Sequence, residues 1–389
     1  MPTLDTFSRA AGLARLNDFS RLSGRPYADG RNTDVGALDT PTTSALSPYL
    51  RRRLLLEQEV AATAIGAHGR LGAERFVQEV FWRSYFKGHL ETRPSIWADY
   101  RQRVADEHAR LDANAGLRRG YTEAVEGRTG IDGFDDWARE LAEHGWLHNH
   151  ARMWFASIWI FTLRLPWQLG ADLFMRNLLD GDPASNTLSW RWVAGLHTRG
   201  KAYAARAENI ARFTNGQFHP KGLNETPQAL TEEVDLPLAP PDAAPTGDVA
   251  LLLHLDDLHP ESLELNGARV VEIGGLMAHA AGASERVRAA DRAAMADALA
   301  RASAHFGCRA NEVDEDWKSD LPAVSAWAPV GPSAAALPPL HARSQGLGRA
   351  GVAEVHAWVF SASIGDSAGS RRGERRLSGF HGTCPAMAR

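Results

Sequence analysis

Asn149, Arg152 and Met153 are spaced i, i+3 and i+4, so a helix would carry an amide, a guanidinium and a thioether on one face. Downstream, Asp180-Gly181-Asp182-Pro183 puts two carboxylates into a turn, and Asn186, Trp190 and Trp192 follow it. Upstream, Phe76, Glu79, Trp82, Arg83 and Phe86 repeat at helical spacing, which sets Glu79, Trp82 and Arg83 on a common face. A carboxylate, a ring and a guanidinium together could grip a flat polar ligand. They could equally be a surface Glu–Arg pair beside a core tryptophan. Trp190 and Trp192 stand about 200° apart around a helix and point to opposite sides. One element would then offer a ring to each of two neighbouring compartments.

Most of these residues sit in Trp146–Trp192, which holds six of the chain's twelve tryptophans within 47 residues. A buried indole needs a partner for its N–H, so such a concentration suits a site that stacks a planar ligand or carries electrons. A tryptophan-rich helical core is the other reading, and composition alone leaves both open. Further upstream, Thr43, Ser44 and Ser47 bring hydroxyls to a helix expected to begin after Pro48. Free N–H groups and hydroxyls at a helix start suit a phosphate, though they also describe a plain capped helix.

The elements that must carry these residues are mostly helical up to about residue 222. Residues 51–90 read as helix, and 95–130 as polar helix with loops. FDDWARELAEHG is amphipathic, with Phe134, Trp137, Ala138 and Leu141 on one stripe and Gly145 as its stop. Three helical pieces follow, broken at Pro166 and at Asp180–Pro183. Residues 223–247 are a proline-rich linker. Beyond it, DVALLLHL, ARVVEIGG and AVSAWAP read as strands, SERVRAADRAAMADALARASAHFG as a helix, and AEVHAWVF as a last strand. This describes a small α/β domain over 248–362, followed by a basic, Gly/Ser-rich tail over 363–389 expected to be disordered. His254, Asp256, Asp257 and His259 cluster after its first strand, where such folds receive ligands, but strand-end Asp and His more often cap loops than bind metal.

At 389 residues the chain is long enough for two domains, and its 44% hydrophobic and 23% charged residues are those of an ordinary globular protein. A net charge of −4 argues against coating nucleic acid by bulk electrostatics, although a local basic groove is a separate matter. Cys308 and Cys384 are too few and too distant for a cluster or a disulfide framework, so a reducing, cytoplasmic location is the expectation. No signal peptide is read at the N-terminus, and the most apolar run, Trp154–Trp167, is too short to span a membrane.

From about Leu13 to Phe218 the chain resembles the helical FAD-binding domain of the DNA photolyase/cryptochrome family. The matching pieces are the Tyr27 and Arg31 pair, TTSALSPYL, EVFWRSY, GWLHNHARM, the Trp167 region and DGDPASNTLSWRW. The resemblance implies FAD as cofactor, with Thr43, Ser44, Leu46 and Ser47 wrapping its diphosphate and Tyr27 flanking the flavin. It implies an Arg152–Asp180 ion pair over the ring system, with Asp182 lining it and Asn186 facing N5, where a neutral amide is the photolyase-like choice. Trp190 and Trp167 correspond to the first two members of an electron-carrying chain. The third has no match, because residues 105–130 contain no tryptophan; Trp159, Trp154 and Tyr203 are alternative exits. Glu79, Trp82, Asn149, Met153 and Trp192 occupy positions that contact a flipped-out cyclobutane pyrimidine dimer, with Glu79 bonding one base.

The departures are specific. Ala45 stands where the family usually has Arg, and His150 replaces a pocket Arg, weakening the grip on DNA. The family's amino-terminal antenna domain has no counterpart ahead of the flavin segment. An α/β module follows instead, related to that antenna domain only by fold-level analogy. The resemblance therefore implies a flavin-dependent, blue-light-driven photolyase-type lyase acting on damaged DNA. The alternatives are a cryptochrome-like photoreceptor that binds FAD without repair, and a flavin-binding protein whose repair function has decayed.

Overall fold

The computed structural model describes residues 7–36, 43–198, 200–231, 246–263, 265, 267–337 and 342–344. The expected strand in AEVHAWVF, the basic tail and most of the proline-rich linker lie outside them. The first elements are α1 (Arg9–Ser20), α2 (Arg25–Gly30), α3 (Ser47–Arg51) and the long α4 (Glu57–Glu91), which changes direction at Gly69. Next come α5 (Pro94–Ala113), α6 (Ala115–Val125), α7 (Phe134–His144) and α8 (Asn149–Ser157), the last running on as a wider π turn over Ile158–Thr162. α9 (Trp167–Asn177), α10 (Pro183–Val193) and α11 (Ala207–Phe213) complete the helical part.

The stripe of α7 is buried, and Gly145 ends the helix at φ 64°, its N–H donating to Leu141 O. α10 begins where Asp182 accepts the Ser185 N–H at 2.7 Å, with Pro183 in the first turn. The helix expected after Pro48 behaves differently. It ends at Arg51 after five residues, and Arg53 turns the chain with φ 52° before α4 starts at Glu57.

The α/β part holds β1 (Asp248–His254), β2 (Arg269–Leu276), α12 (Glu285–Phe306), β3 (Ala310–Val313), β4 (Ala323–Ala326), α13 (Pro332–Ala336) and β5 (Ala342–Ser344). All pairings are parallel, in the order β3-β2-β1-β4-β5. β1 is central and buried from Val249 to His254, as its unbroken apolar run requires. β3 gave no sequence signal because its residues are half-buried or exposed, so no alternation marks them.

Two large apolar cores result among the described residues, beside a small cluster of Leu90, Ile96, Ala184 and Leu188. One is tryptophan-rich and lies among α5 to α11. The other joins α1, α3 and α4 as far as Val80 to the sheet and α12, with Leu16, Tyr49, Leu55 and Val60 packed in one cluster with Leu251, Leu253, Ala294 and Met295. Three consecutive arginines line the polar edge of that seam. Arg51 pairs with Asp256 at 2.9 Å, Arg52 with Asp291 at 2.6 Å and Arg53 with Asp257 at 2.9 Å. No helix among the described residues is long and apolar enough to cross a membrane.

Candidate functional site

The loop between α9 and α10 brings the two carboxylates of DGDP into the interior, with Asp180 6% and Asp182 1% exposed. Its course is fixed by Leu179 N donating to Gly145 O at 2.9 Å and Gly181 N to Leu178 O at 3.0 Å. From α8, Arg152 reaches the Asp180 carboxylate at 3.1 Å while its Nε donates to Leu147 O at 2.9 Å. Burial opposes the charge on Asp180, but Arg152, Arg83 and a bond from Ser47 outweigh it and hold the carboxyl below its usual range. Ser47 thereby ties α3 to the same loop. Asp182 feels a stronger field: against burial, Lys87 at 3.6 Å, Arg83 at 3.8 Å and Arg51 hold its carboxyl at about 2.

Two buried hydroxyls in these segments, Thr43 Oγ1 and Ser185 Oγ, have no hydrogen-bond partner, and Asp182 Oδ2 meets Arg83 Nη1 and Lys87 Nζ only across longer ion pairs of 3.8 and 3.6 Å. Orphaned donors and acceptors are costly and rare, so a group of them marks a place that a polar ligand completes. Asn186, 8% exposed, gives one amide N–H to Ala171 O at 2.7 Å, which leaves its carbonyl oxygen as an acceptor. Ser44 Oγ accepts from Leu46 N at 3.3 Å, Leu46 is buried, and Ala45 takes a positive φ of 48°. Arg15 on α1 donates through Nε to Ser44 O at 2.6 Å. It sets a cation beside the segment in which Ala45 supplies none. Sequence reading missed Arg15 because nothing local marks a residue 29 positions from its partner.

On α4 the expected common face divides. Glu79 is bound by Arg31 in a short ion pair, and burial pushes its carboxyl up despite that cation. Tyr27 lies beside the pair, its hydroxyl pushed well up by burial and by Glu79, and its ring meets Phe76 edge-on at 5.0 Å. Trp82 packs on Tyr85 and Phe86 at 5.3 and 5.8 Å, and Arg83 turns to Asp182. The expected Glu79–Arg83 pair on one helix therefore does not form, because the cation serving Glu79 comes from Arg31.

At the start of α8, Asn149 is exposed, and His150 and Met153 are half-buried. His148 and His150 are both lowered to about 4, first by burial and then by neighbouring cations, and for His150 by His148 as well. Both imidazoles are neutral at pH 7. Trp192 is half-buried on Tyr203 at 5.4 Å, whereas Trp190 is 2% exposed against Phe174 at 5.1 Å and Trp159 at 6.3 Å. Trp167 stacks on Tyr100 at 5.6 Å. Trp137, Trp154 and Trp159 give their N–H to Asp34, Asn209 and Pro166 O, while Trp190 Nε1 is buried without a partner. Trp154 and Trp159 are fully buried, so neither ends at the surface. Half-buried Tyr121, from the segment that lacks tryptophan, meets Trp159 edge-on at 5.9 Å. The cluster after β1 is taken up by the seam: Asp256 and Asp257 pair with Arg51 and Arg53, and His254 bonds Ala326 O. Among the described residues no group of three or more His, Cys, Asp or Glu could hold a metal.

Residues 76–222 match the family described as the FAD binding domain of DNA photolyase. A deoxyribodipyrimidine photo-lyase of Streptomyces griseus is 36% identical over 197 residues, covering 47% of this chain and 41% of that one. One of Vibrio cholerae is 30% identical over 210 residues, 52% of this chain and 43% of that one. A crystal structure of a bacterial class III photolyase from Agrobacterium tumefaciens aligns over 54% of this chain and 43% of that one, at 27% identity and a TM-score of 0.44. The chain thus covers about two fifths of the length of these curated relatives.

Proposed function

We propose that the chain, whose residues 76–222 match the FAD binding domain of DNA photolyase, binds FAD at the Asp180–Asp182 loop and reverses cyclobutane pyrimidine dimers in DNA under blue light. The observation that carries this reading is the ion pair between Arg152 and the buried Asp180, accompanied by the unpartnered hydroxyls of Thr43 and Ser185 and by the Asp182 carboxylate held only at ion-pair distance. When bound and reduced, FAD supplies blue-light absorption and one-electron transfer to the lesion. The chain's own residues do the rest.

Thr43, Ser44, Leu46 and Ser47 wrap the diphosphate, with Arg15 lending a cation beside Ser44. Tyr27 flanks the flavin. Arg152 and Asp180 hold each other rigid against the ring system, so their charges need no reorganisation. Asp182 keeps its charge at all physiological pH values and fixes the first turn of α10, which carries Asn186. The Asn186 carbonyl, left free by the amide's bond to Ala171 O, would serve as an acceptor toward the flavin. Trp190 and Trp167 would supply the aromatic path for electrons to it. On the lesion side, Trp82 and Trp192 stack the flipped bases, Asn149 and Met153 wall the pocket, and Glu79, steadied by Arg31, bonds one thymine. His150 contributes contact without charge.

The neutral His150 favours one other reading, a cryptochrome-like photoreceptor that keeps FAD but holds DNA weakly. The test is to irradiate the purified, reduced protein with blue light in the presence of a dimer-containing oligonucleotide. Restored thymines are expected. A yellow protein that leaves the dimer intact moves the reading to the photoreceptor, and a protein that binds no flavin ends both.

A further inference from the structure

We infer that the α/β module positions the Asp180–Asp182 loop, using Arg51 and Arg52 as rigid links between its own carboxylates and the loop backbone. The loop's importance rests on the FAD reading above; the linkage itself does not. Arg51 gives Nε to Gly181 O at 2.8 Å and Nη1 to Asp256 Oδ1 at 2.9 Å and Leu255 O at 3.0 Å. Arg52 gives Nη1 to Leu179 O at 2.7 Å and to Pro48 O at 3.1 Å, while its Nε donates to Asp291 Oδ1 at 2.8 Å. The two loop carbonyls come immediately before and after Asp180. Fixing both therefore fixes the Leu179–Asp180 and Gly181–Asp182 peptide planes, the one leading into each carboxylate residue.

The geometry uses what distinguishes arginine from lysine, a planar fork that donates in two directions at once. All four charged partners are buried, with Arg51 and Asp256 at 8% and 1% side-chain exposure and Arg52 and Asp291 at 1% and 7%. Such charges persist only when paired, so neither arginine can leave its aspartate without a large penalty. Asp291 is held from its other side by His279 Nδ1 at 2.8 Å, which sets its orientation. Asp256 follows β1, next to the β1–β4 boundary where the strand order reverses and parallel α/β folds receive ligands. Here the side chain arriving beside that position is Arg51 of the same chain. The module is thus an internal brace for the loop that carries Asp180 and Asp182.

The test uses the full chain with Asp256→Asn and Asp291→Asn, both of which lie in the α/β part, and Arg51→Lys, which keeps the charge but not the fork. The control is Arg301→Gln, which loosens the module from within by freeing Glu261, Asp297 and Leu258 O. Two readouts are taken: amide hydrogen exchange over residues 176–186 in flavin-free protein, and FAD affinity by fluorescence titration. Exchange in that segment should rise about tenfold in the two Asp variants and in Arg51→Lys, and stay at the wild-type rate in the control. FAD affinity should fall about tenfold in the same three variants, within the usual range of coupling between sites. Unchanged exchange in the Asp variants overturns the inference, as does an equal rise in the control. Should the Asp variants fail to fold, Arg51→Lys decides by the same exchange measurement. If wild-type protein binds no FAD, the functional reading falls while the exchange result still decides the brace.

Discussion

At the scale of single residues, Trp190 shows how packing and chemistry are set together. Its ring is enclosed by Phe155, Trp159 and Phe174, and the close approach of α9 is permitted by Gly170. A Cβ on that glycine would stand 2.2 Å from Trp190 Cη2 and 3.0 Å from Trp159 Cε2. Neither ring has room to retreat, because both are buried among other rings. Gly170→Ala should therefore destabilise by about 1–3 kcal/mol, the usual cost of overpacking a core, read as a lower urea midpoint with an unchanged slope. A midpoint equal to wild type would mean that the indoles yield. The identities of Trp190, Asn186, Arg152 and Asp180 were visible in the sequence because they crowd into one short stretch. Arg15 and Arg31 were not legible as partners, since Ser44 and Glu79 lie 29 and 48 residues away from them.

Among the elements, α10 depends on a residue with two duties. Asp182 caps the helix through the Ser185 N–H and also balances Arg83 and Lys87. The duties can be separated. Asp182→Asn keeps an acceptor for the cap and loses the charge, whereas Asp182→Ala loses both. The alanine variant should be the less stable of the two by about 1 kcal/mol, the usual worth of a cap, as read from denaturant unfolding. Equal stabilities would show that the charge alone matters. Helix ends of this kind were legible beforehand, because Asp-Pro starts and Gly stops act locally, as at Asp182-Pro183 and Gly145. The break between α3 and α4 was not. It falls at Arg53, whose left-handed backbone (φ 52°) goes with a pairing to Asp257 in the distant α/β part, so nothing local announces it. β3 was missed for a different reason, because an edge strand with exposed side chains has no pattern to read.

Over the whole molecule, two sets of buried titratable groups should unfold the protein in two stages as acid is added. His148, His150 and His197 are each lowered from 6.5 to about 4, with burial as the main cause. Between those values the unfolded chain takes up protons that the folded chain refuses, so stability falls as pH falls from about 6.5 to about 4. Below that, the histidines are protonated in both states and add no further slope. The second set consists of Asp180, Asp182, Asp256 and Asp291, whose carboxyls are all held below 3.8 by the arginines and Lys87 despite burial. Their stabilisation is complete above the unfolded carboxylate range and is lost as pH drops through their folded values, reaching about 2 for Asp182. The melting temperature should thus be level from pH 8 to 7, decline from pH 6.5 to 4, and drop more steeply below 4 as the seam loses its charges. The arginine seam joins both cores to the same loop, so the lower stage should release the helical and α/β parts together. Near-ultraviolet and far-ultraviolet circular dichroism followed at pH 5 and pH 3 would check this. A flat melting temperature between pH 6.5 and 4 would rule out the histidine contribution, and separate transitions at pH 3 would rule out the shared seam.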